Sequence, residues 1–188
     1  MGIRGGVIVP MIVSVLAGCS SSSNGDGVPR YLLTNTFLGP DAALVAGALA
    51  SEPSTALGFT AETDDARARW LLTPLDGGYF RITNLALGEG LSLDIVNDGE
   101  SSERLRMAET GSLTGQFWQV TPLDNGFCRL TADFLGPERS LDVTVERDVP
   151  ARPVMRPSGN FTGQFWRMDS VGGGTDPTLA SCDGEPAF

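Results

Sequence analysis

The side chains able to do chemistry in this 188-residue chain are few, and they come in copies. SerLeuAsp stands at 92–94 and again at 140–142, and each time ThrGlyGlnPheTrp follows, at 114–118 and 162–166. Asp94 and Asp142 therefore each precede a tryptophan by 24 residues, and the two sets lie 48 residues apart. A carboxylate in such a place accepts hydrogen bonds, either from the hydroxyls of a ligand or from backbone amides of a nearby turn. ValAsnAspGly at 96–99 offers Asp94 such a turn, whereas no equivalent follows Asp142. Gln116 and Gln164 carry a donor and an acceptor each, which suits them to tie strands together.

Catalysis finds little to work with. There is no His and no Lys, so all 13 basic residues are Arg. A hydrolase would have to rest on paired carboxylates, whose separation a sequence does not show. No Gly-x-Ser-x-Gly, no metal-spaced His/Cys cluster and no phosphate loop occurs. GlyGlyGlyThr at 172–175 precedes no helical pattern and reads as linker. The expectation is a non-enzyme with no metal and no cofactor. A net charge of −10 and a pI near 4.3 repel phosphate backbones, which excludes nucleic acid as a partner. The same surplus opposes adsorption to anionic lipid and serves solubility.

The three cysteines divide into two groups. Residues 1–18 have an Arg at position 4, a short apolar run broken by Pro10, and LeuAlaGlyCys at 16–19. The run is too short for a bilayer-spanning helix, which needs about 20 apolar residues. The layout resembles a bacterial lipoprotein signal peptide, which implies lipid on Cys19 and a membrane anchor there. Two or more acyl chains make such an anchor stable. Residues 19–29, rich in Ser and Gly, form a flexible tether. Ser20 after the cysteine resembles the outer-membrane sorting pattern, which implies the bacterial cell envelope, at its periplasmic face or on the surface. Cys128 and Cys182 remain. In an oxidising compartment they can pair, stapling the tail at 171–188 onto the third repeat. The other reading leaves Cys128 buried in a strand and Cys182 free.

What positions these residues is a repeat of about 48 residues. The three tryptophans fall at 70, 118 and 166. TyrLeuLeuThrAsn (31–35), PheArgIleThrAsn (80–84) and CysArgLeuThrAla (128–132) keep the same step, as does LeuGly at 38–39, 87–88 and 135–136. ThrProLeuAspGlyGly (73–78) and ThrProLeuAspAsnGly (121–126) separate the units. Alternating apolar stretches bounded by Gly and Asn turns read as four short strands per unit. Three units favour an all-β β-trefoil over a propeller, which needs at least four blades. The trefoil spans 30–170, with repeats at about 30–77, 78–125 and 126–170.

The spaced GlnPheTrp and SerLeuAsp motifs resemble those of ricin-type β-trefoil lectins, including family 13 carbohydrate-binding modules, and the match covers nearly the whole folded chain. The resemblance implies that Trp70, Trp118 and Trp166 are core wedges, with Gln116 and Gln164 as the accompanying motif. It also implies that Asp94 and Asp142 receive sugar hydroxyls. Repeat one has Val45 at that position, which accepts no hydrogen bond. Two features depart from the family. The stretches 104–108 and 152–157, where a stacking aromatic is expected, contain none, and Gly115 and Gly163 replace the usual Asn before Gln. The expected partner is a carbohydrate. The alternative is a sugar-blind structural or protein-interaction trefoil.

Overall fold

A computed structural model of the chain describes residues 1–2, 27–47, 55–99, 103–174 and 176–182. Residues 3–26, which include Cys19 and most of the segments expected to be a signal peptide and a tether, lie outside the described residues. Among those described, no helix is long and apolar enough to cross a membrane.

Twelve strands form, four per repeat. They are β1 (Arg30–Asn35), β2 (Gly39–Ala46), β3 (Leu57–Thr60) and β4 (Trp70–Pro74); β5 (Phe80–Asn84), β6 (Gly88–Ile95), β7 (Leu105–Glu109) and β8 (Trp118–Pro122); and β9 (Cys128–Ala132), β10 (Arg139–Glu146), β11 (Val149–Pro157) and β12 (Trp166–Gly172). The first and last strand of each repeat close a ring, with pairings β1–β4, β4–β5, β5–β8, β8–β9, β9–β12 and β12–β1. The middle strands pair as the hairpins β2–β3, β6–β7 and β10–β11. This is a β-trefoil. Closing the ring leaves its six strands with no free edge.

The repeat period is visible in the register. Tyr31 faces Trp70, Phe80 faces Trp118 and Cys128 faces Trp166. All three tryptophans are fully buried. Each indole N–H donates to the carbonyl of the residue before the SerLeuAsp-type aspartate or its equivalent, Leu44, Leu93 or Leu141, at 2.9 Å every time. One side chain thus fills the core and locks the fourth strand of a repeat to its second. A buried indole needs such a partner for its N–H. Around the three rings pack Leu33, Leu72, Ile82, Met107, Leu130 and Met155, all within one core.

The C-terminal segment is less of a tail than its Gly-rich entry suggests. Leu179 and Cys182 join the same core, and the Asp176 amide donates to the Tyr31 hydroxyl at 2.9 Å. Cys182 is bonded to Cys128, the first residue of β9, with their α-carbons 5.2 Å apart. Residues 176–182 therefore belong to the folded body. The irregular first repeat also becomes readable in part, since β3 supplies the hairpin strand that its poorly matching sequence concealed.

Candidate functional site

Asp142 sits on β10, whose backbone presents the side chain beside a short 3₁₀ turn, Thr162–Gln164, that leads into Trp166. One carboxylate oxygen accepts from the Val143 amide at 2.7 Å, the other from Gln164 Nε2 at 2.9 Å. Gln164 is wholly buried and does more than touch Asp142. Its Oε1 accepts from Ser140 Oγ and the Gly159 amide, and its Nε2 also donates to the Pro157 carbonyl. The amide holds β10, the end of β11 and the turn at 158–160 in one arrangement. Gly163 is needed there because a β-carbon would land on Asp142 Oδ1. In this chain the carboxylate occupies the space that a side chain at position 163 would need.

Two phenyl rings flank this carboxylate across an open depression of about 480 Å³, lined by Phe37, Asp142, Val143, Asn160, Phe161 and Thr162. Phe161 and Phe37 are 59 % and 54 % exposed, high values for rings that a soluble core would normally recruit. Phe37 belongs to the first repeat. Buried Asn35 holds it in place, accepting from the Phe37 amide at 2.9 Å and donating to the Gly163 carbonyl at 2.7 Å. The site of repeat three is therefore completed by the β1–β2 turn of repeat one.

Asp94 occupies the same position on β6 but is more enclosed, at 4 % exposure. Its Oδ1 accepts from the Ile95 amide at 2.9 Å, the next residue of the same strand. Gln116 repeats most of the pattern of Gln164, accepting from the Gly111 amide and donating to the Glu109 carbonyl. Gly115, like Gly163, leaves no room for a β-carbon beside its aspartate. Asn97, Arg106, Leu113 and Phe134 line a cavity of about 240 Å³ next to Asp94. Phe134 comes from the following repeat, in the place that Phe37 takes at Asp142. The Phe134 amide is tied to the Thr114 carbonyl at 3.2 Å.

Burial pushes the Asp94 carboxyl above its ordinary value of 3.8, against the opposing pull of the Ile95 amide, the Arg106 charge and Gln116. The folded state then holds this proton more tightly than the unfolded chain. Its contribution favours folding below the ordinary carboxylate range and is lost as pH rises through the raised value. Asp94→Asn lacks this titration. Wild type should therefore gain melting temperature relative to the variant between pH 6.5 and 3.5, as read by circular dichroism. A constant difference across that range would count against the buried carboxyl.

Repeat one differs at every one of these positions. Val45 replaces Asp, Arg67 replaces Gly, Ala68 replaces Gln, and Ala86 stands in the next repeat where the others supply Phe. Val45 is 1 % exposed and purely apolar. Arg67 turns away to pair with Asp65 and to donate to the Gly47 carbonyl. The loss is concerted: with no carboxylate to house, neither the glycine nor the glutamine is required.

Phe37 and Phe134 were hidden from a reading of one repeat at a time, whereas Phe161 shares the repeat of Asp142. PheLeuGly stands at 37–39 and 134–136, but AlaLeuGly at 86–88. The signal was present, one repeat downstream of the place where a stacking ring was sought. Among the described residues, no group of three or more His, Cys, Asp or Glu could hold a metal ion.

No protein-family model matches the chain, and no curated protein matches it. Solved structures do. The chain is similar to ThreeFoil, a designed threefold-symmetric protein, at 20% identity and a TM-score of 0.64, covering 78% of this chain and 100% of that one. It is also similar to an exo-β-1,3-galactanase from Clostridium thermocellum, at 20% identity and a TM-score of 0.64, covering 76% of this chain and 30% of the enzyme. The cytolethal distending toxin of Haemophilus ducreyi aligns at 18% identity and a TM-score of 0.57, over 84% of this chain and 87% of that one. At such identities these likenesses concern the fold.

Proposed function

We propose that this chain is a non-catalytic carbohydrate-binding domain, held at the bacterial cell envelope through Cys19, with working sites at Asp142 and Asp94 and none in repeat one. The observation that carries the reading is the joint presence, in repeats two and three, of aspartate, its glycine, its glutamine and a phenyl ring from the next repeat. A purely architectural role for the aspartate would explain its glycine and glutamine but gives no reason for a ring from the next repeat to line each depression, half-buried in Phe134 and 54 % exposed in Phe37.

A sugar presents vicinal hydroxyls on its rim and a C–H face, and these two features need a carboxylate and an aromatic plane. Asp142 already accepts two internal bonds, from Val143 and Gln164. A carboxylate has about four lone-pair sites, so two remain for hydroxyls. The internal bonds fix its orientation before the ligand arrives, which reduces the ordering cost of binding. The galactanase, which its name ties to β-1,3-galactan, supports the choice of polysaccharide as ligand, with a trefoil match that covers 30% of its length. LeuAlaGlyCys at 16–19 supports the envelope setting. Two weak sites on one tethered domain would gain by avidity on a repeating polymer.

A fluorescence titration with galactose, xylose and their oligomers tests the reading. Phe161→Ala and Asp142→Ala should each weaken binding of the preferred oligomer about tenfold or more, while Val45→Ala leaves it unchanged. A hydrogen bond to a charged acceptor contributes about 1.5–3 kcal/mol, which supports that magnitude for Asp142→Ala. Saturable binding that survives both substitutions together with Asp94→Ala would place the sugar elsewhere. No binding to any glycan would favour the sugar-blind interaction domain.

A further inference from the structure

The two depressions are built alike around the aspartate but differ in what stands across the strand from it. On the β6–β7 hairpin the residue opposite Asp94 is Arg106, and both line the same cavity. On β10–β11 the residue opposite Asp142 is Val154, and on β2–β3 the residue opposite Val45 is Gly58. Side chains at directly opposed positions project from the same face, about 5 Å apart at Cβ, which is the scale of one pyranose ring.

The Arg106 charge acts on Asp94 across the cavity but is not consumed in a bonded pair. The side chain is exposed, and it makes no hydrogen bond or ion pair with another described residue. Other arginines behave otherwise: Arg104, just before β7, is paired with Asp98, and Arg139 on β10 and Arg156 on β11 share Glu103. Nor is it matched to Asp94. Both groups line the cavity, yet the aspartate is satisfied by the Ile95 amide and Gln116, and no ion pair joins it to the guanidinium. The cavity therefore offers a fixed acceptor on one side and a planar cationic donor on the other, with Asn97 and the Phe134 ring completing its wall. A guanidinium pairs best with a carboxylate or a sulfate, in a two-pronged geometry that an ammonium does not reproduce. A neutral sugar would leave that donor set facing water.

From this we infer that the Asp94 depression takes an acidic sugar, such as a uronate residue, its ring hydroxyls bonding to Asp94 and its carboxylate to Arg106. The Asp142 depression, with two phenyl rings and no cation in its wall, takes a neutral one. The inference rests on the carbohydrate-binding reading. The net charge of −10 opposes an acidic polymer over the rest of the surface, so the attraction must come from Arg106 itself. A polysaccharide that alternates neutral and acidic residues would occupy both sites.

The test compares a galacturonate trisaccharide with its methyl ester, which keeps every hydroxyl and loses the charge. Isothermal titration should show wild type preferring the acid about five- to tenfold, a preference that shrinks as salt is raised from 20 to 300 mM. Arg106→Gln should bind acid and ester alike, at the ester's affinity, while Arg106→Lys recovers part of the difference. Binding of acid and ester with equal affinity in wild type, or a preference that survives Arg106→Gln, overturns the inference while leaving sugar binding in place. Binding of neither trisaccharide, with neutral galactose oligomers still bound at Asp142, also overturns it. No binding of any of the three ligands overturns the carbohydrate reading itself.

Discussion

Trp166→Ala should leave little or no folded protein at room temperature. Truncating a buried tryptophan costs about 3–5 kcal/mol through lost transfer energy and the cavity left behind. Here the change also strands the Leu141 carbonyl, which accepts the indole N–H at 2.9 Å, and an unpaired buried acceptor adds about 1–3 kcal/mol. Phe59, stacked on the same indole with ring centroids 6.3 Å apart, loses its neighbour too. The whole stability of an ordinary domain is about 5–15 kcal/mol. Urea denaturation followed by circular dichroism gives the measurement. Trp166→Phe should lie between wild type and Ala, because it retains most of the ring while dropping the hydrogen bond. Trp70→Ala and Trp118→Ala should fall in the same range, given their identical burial and bonding. An alanine variant that unfolds within half a molar of wild type would show that the period of three tryptophans is not what holds the trefoil together.

The second large effect is on the Cys128–Cys182 bond. It closes a loop of 54 residues, for which the chain-entropy estimate is about 4 kcal/mol of stabilisation. Reduction under denaturant should lower the unfolding midpoint accordingly. The double variant Cys128→Ala/Cys182→Ala should already sit at the lower midpoint and ignore reductant. The loss is not only entropic. Leu179 is buried alongside Cys182, and the Asp176 amide is satisfied by Tyr31, so a released segment would uncover one apolar side chain and free one hydrogen-bond acceptor at the start of β1. A wild-type midpoint that stays put in reductant would mean the segment is held by packing alone.

Much of the architecture could be read directly from the chain because the repeat states it three times. Tryptophan spacing, the strand-opening TyrLeuLeuThrAsn type and the ThrProLeuAsp turns each mark the same period, and agreement among independent markers is what a foldable sequence provides. Repeat one was harder to read for a physical reason. With Val45 in place of an aspartate, nothing requires glycine at position 67 or glutamine at position 68, and the motif is missing there. The aspartates were legible because their neighbours are invariant within the chain. Their rings were not, because a residue that completes a site from the adjoining repeat has no fixed sequence offset from the carboxylate until the topology is known. Arg106 lies in the stretch 104–108, where the family resemblance places a ring-stacking residue, but nothing in the sequence sets it opposite Asp94. Only the pairing of β6 with β7 reveals that it faces Asp94.

The way repeats lend each other a ring has an outcome for how such a domain can be cut or rebuilt. Phe37, near the beginning of the described trefoil, serves the carboxylate near its end, so the third depression exists only once β1 has zipped against β12. A ligand lodged there would act as a clasp between the two chain ends and should slow their separation under load. A fragment made of the last two repeats would keep Phe134 for Asp94 but deprive Asp142 of half its wall. Relocating the termini, by joining the ends where Gly173 abuts the Val28 carbonyl and opening the chain elsewhere, would spare both.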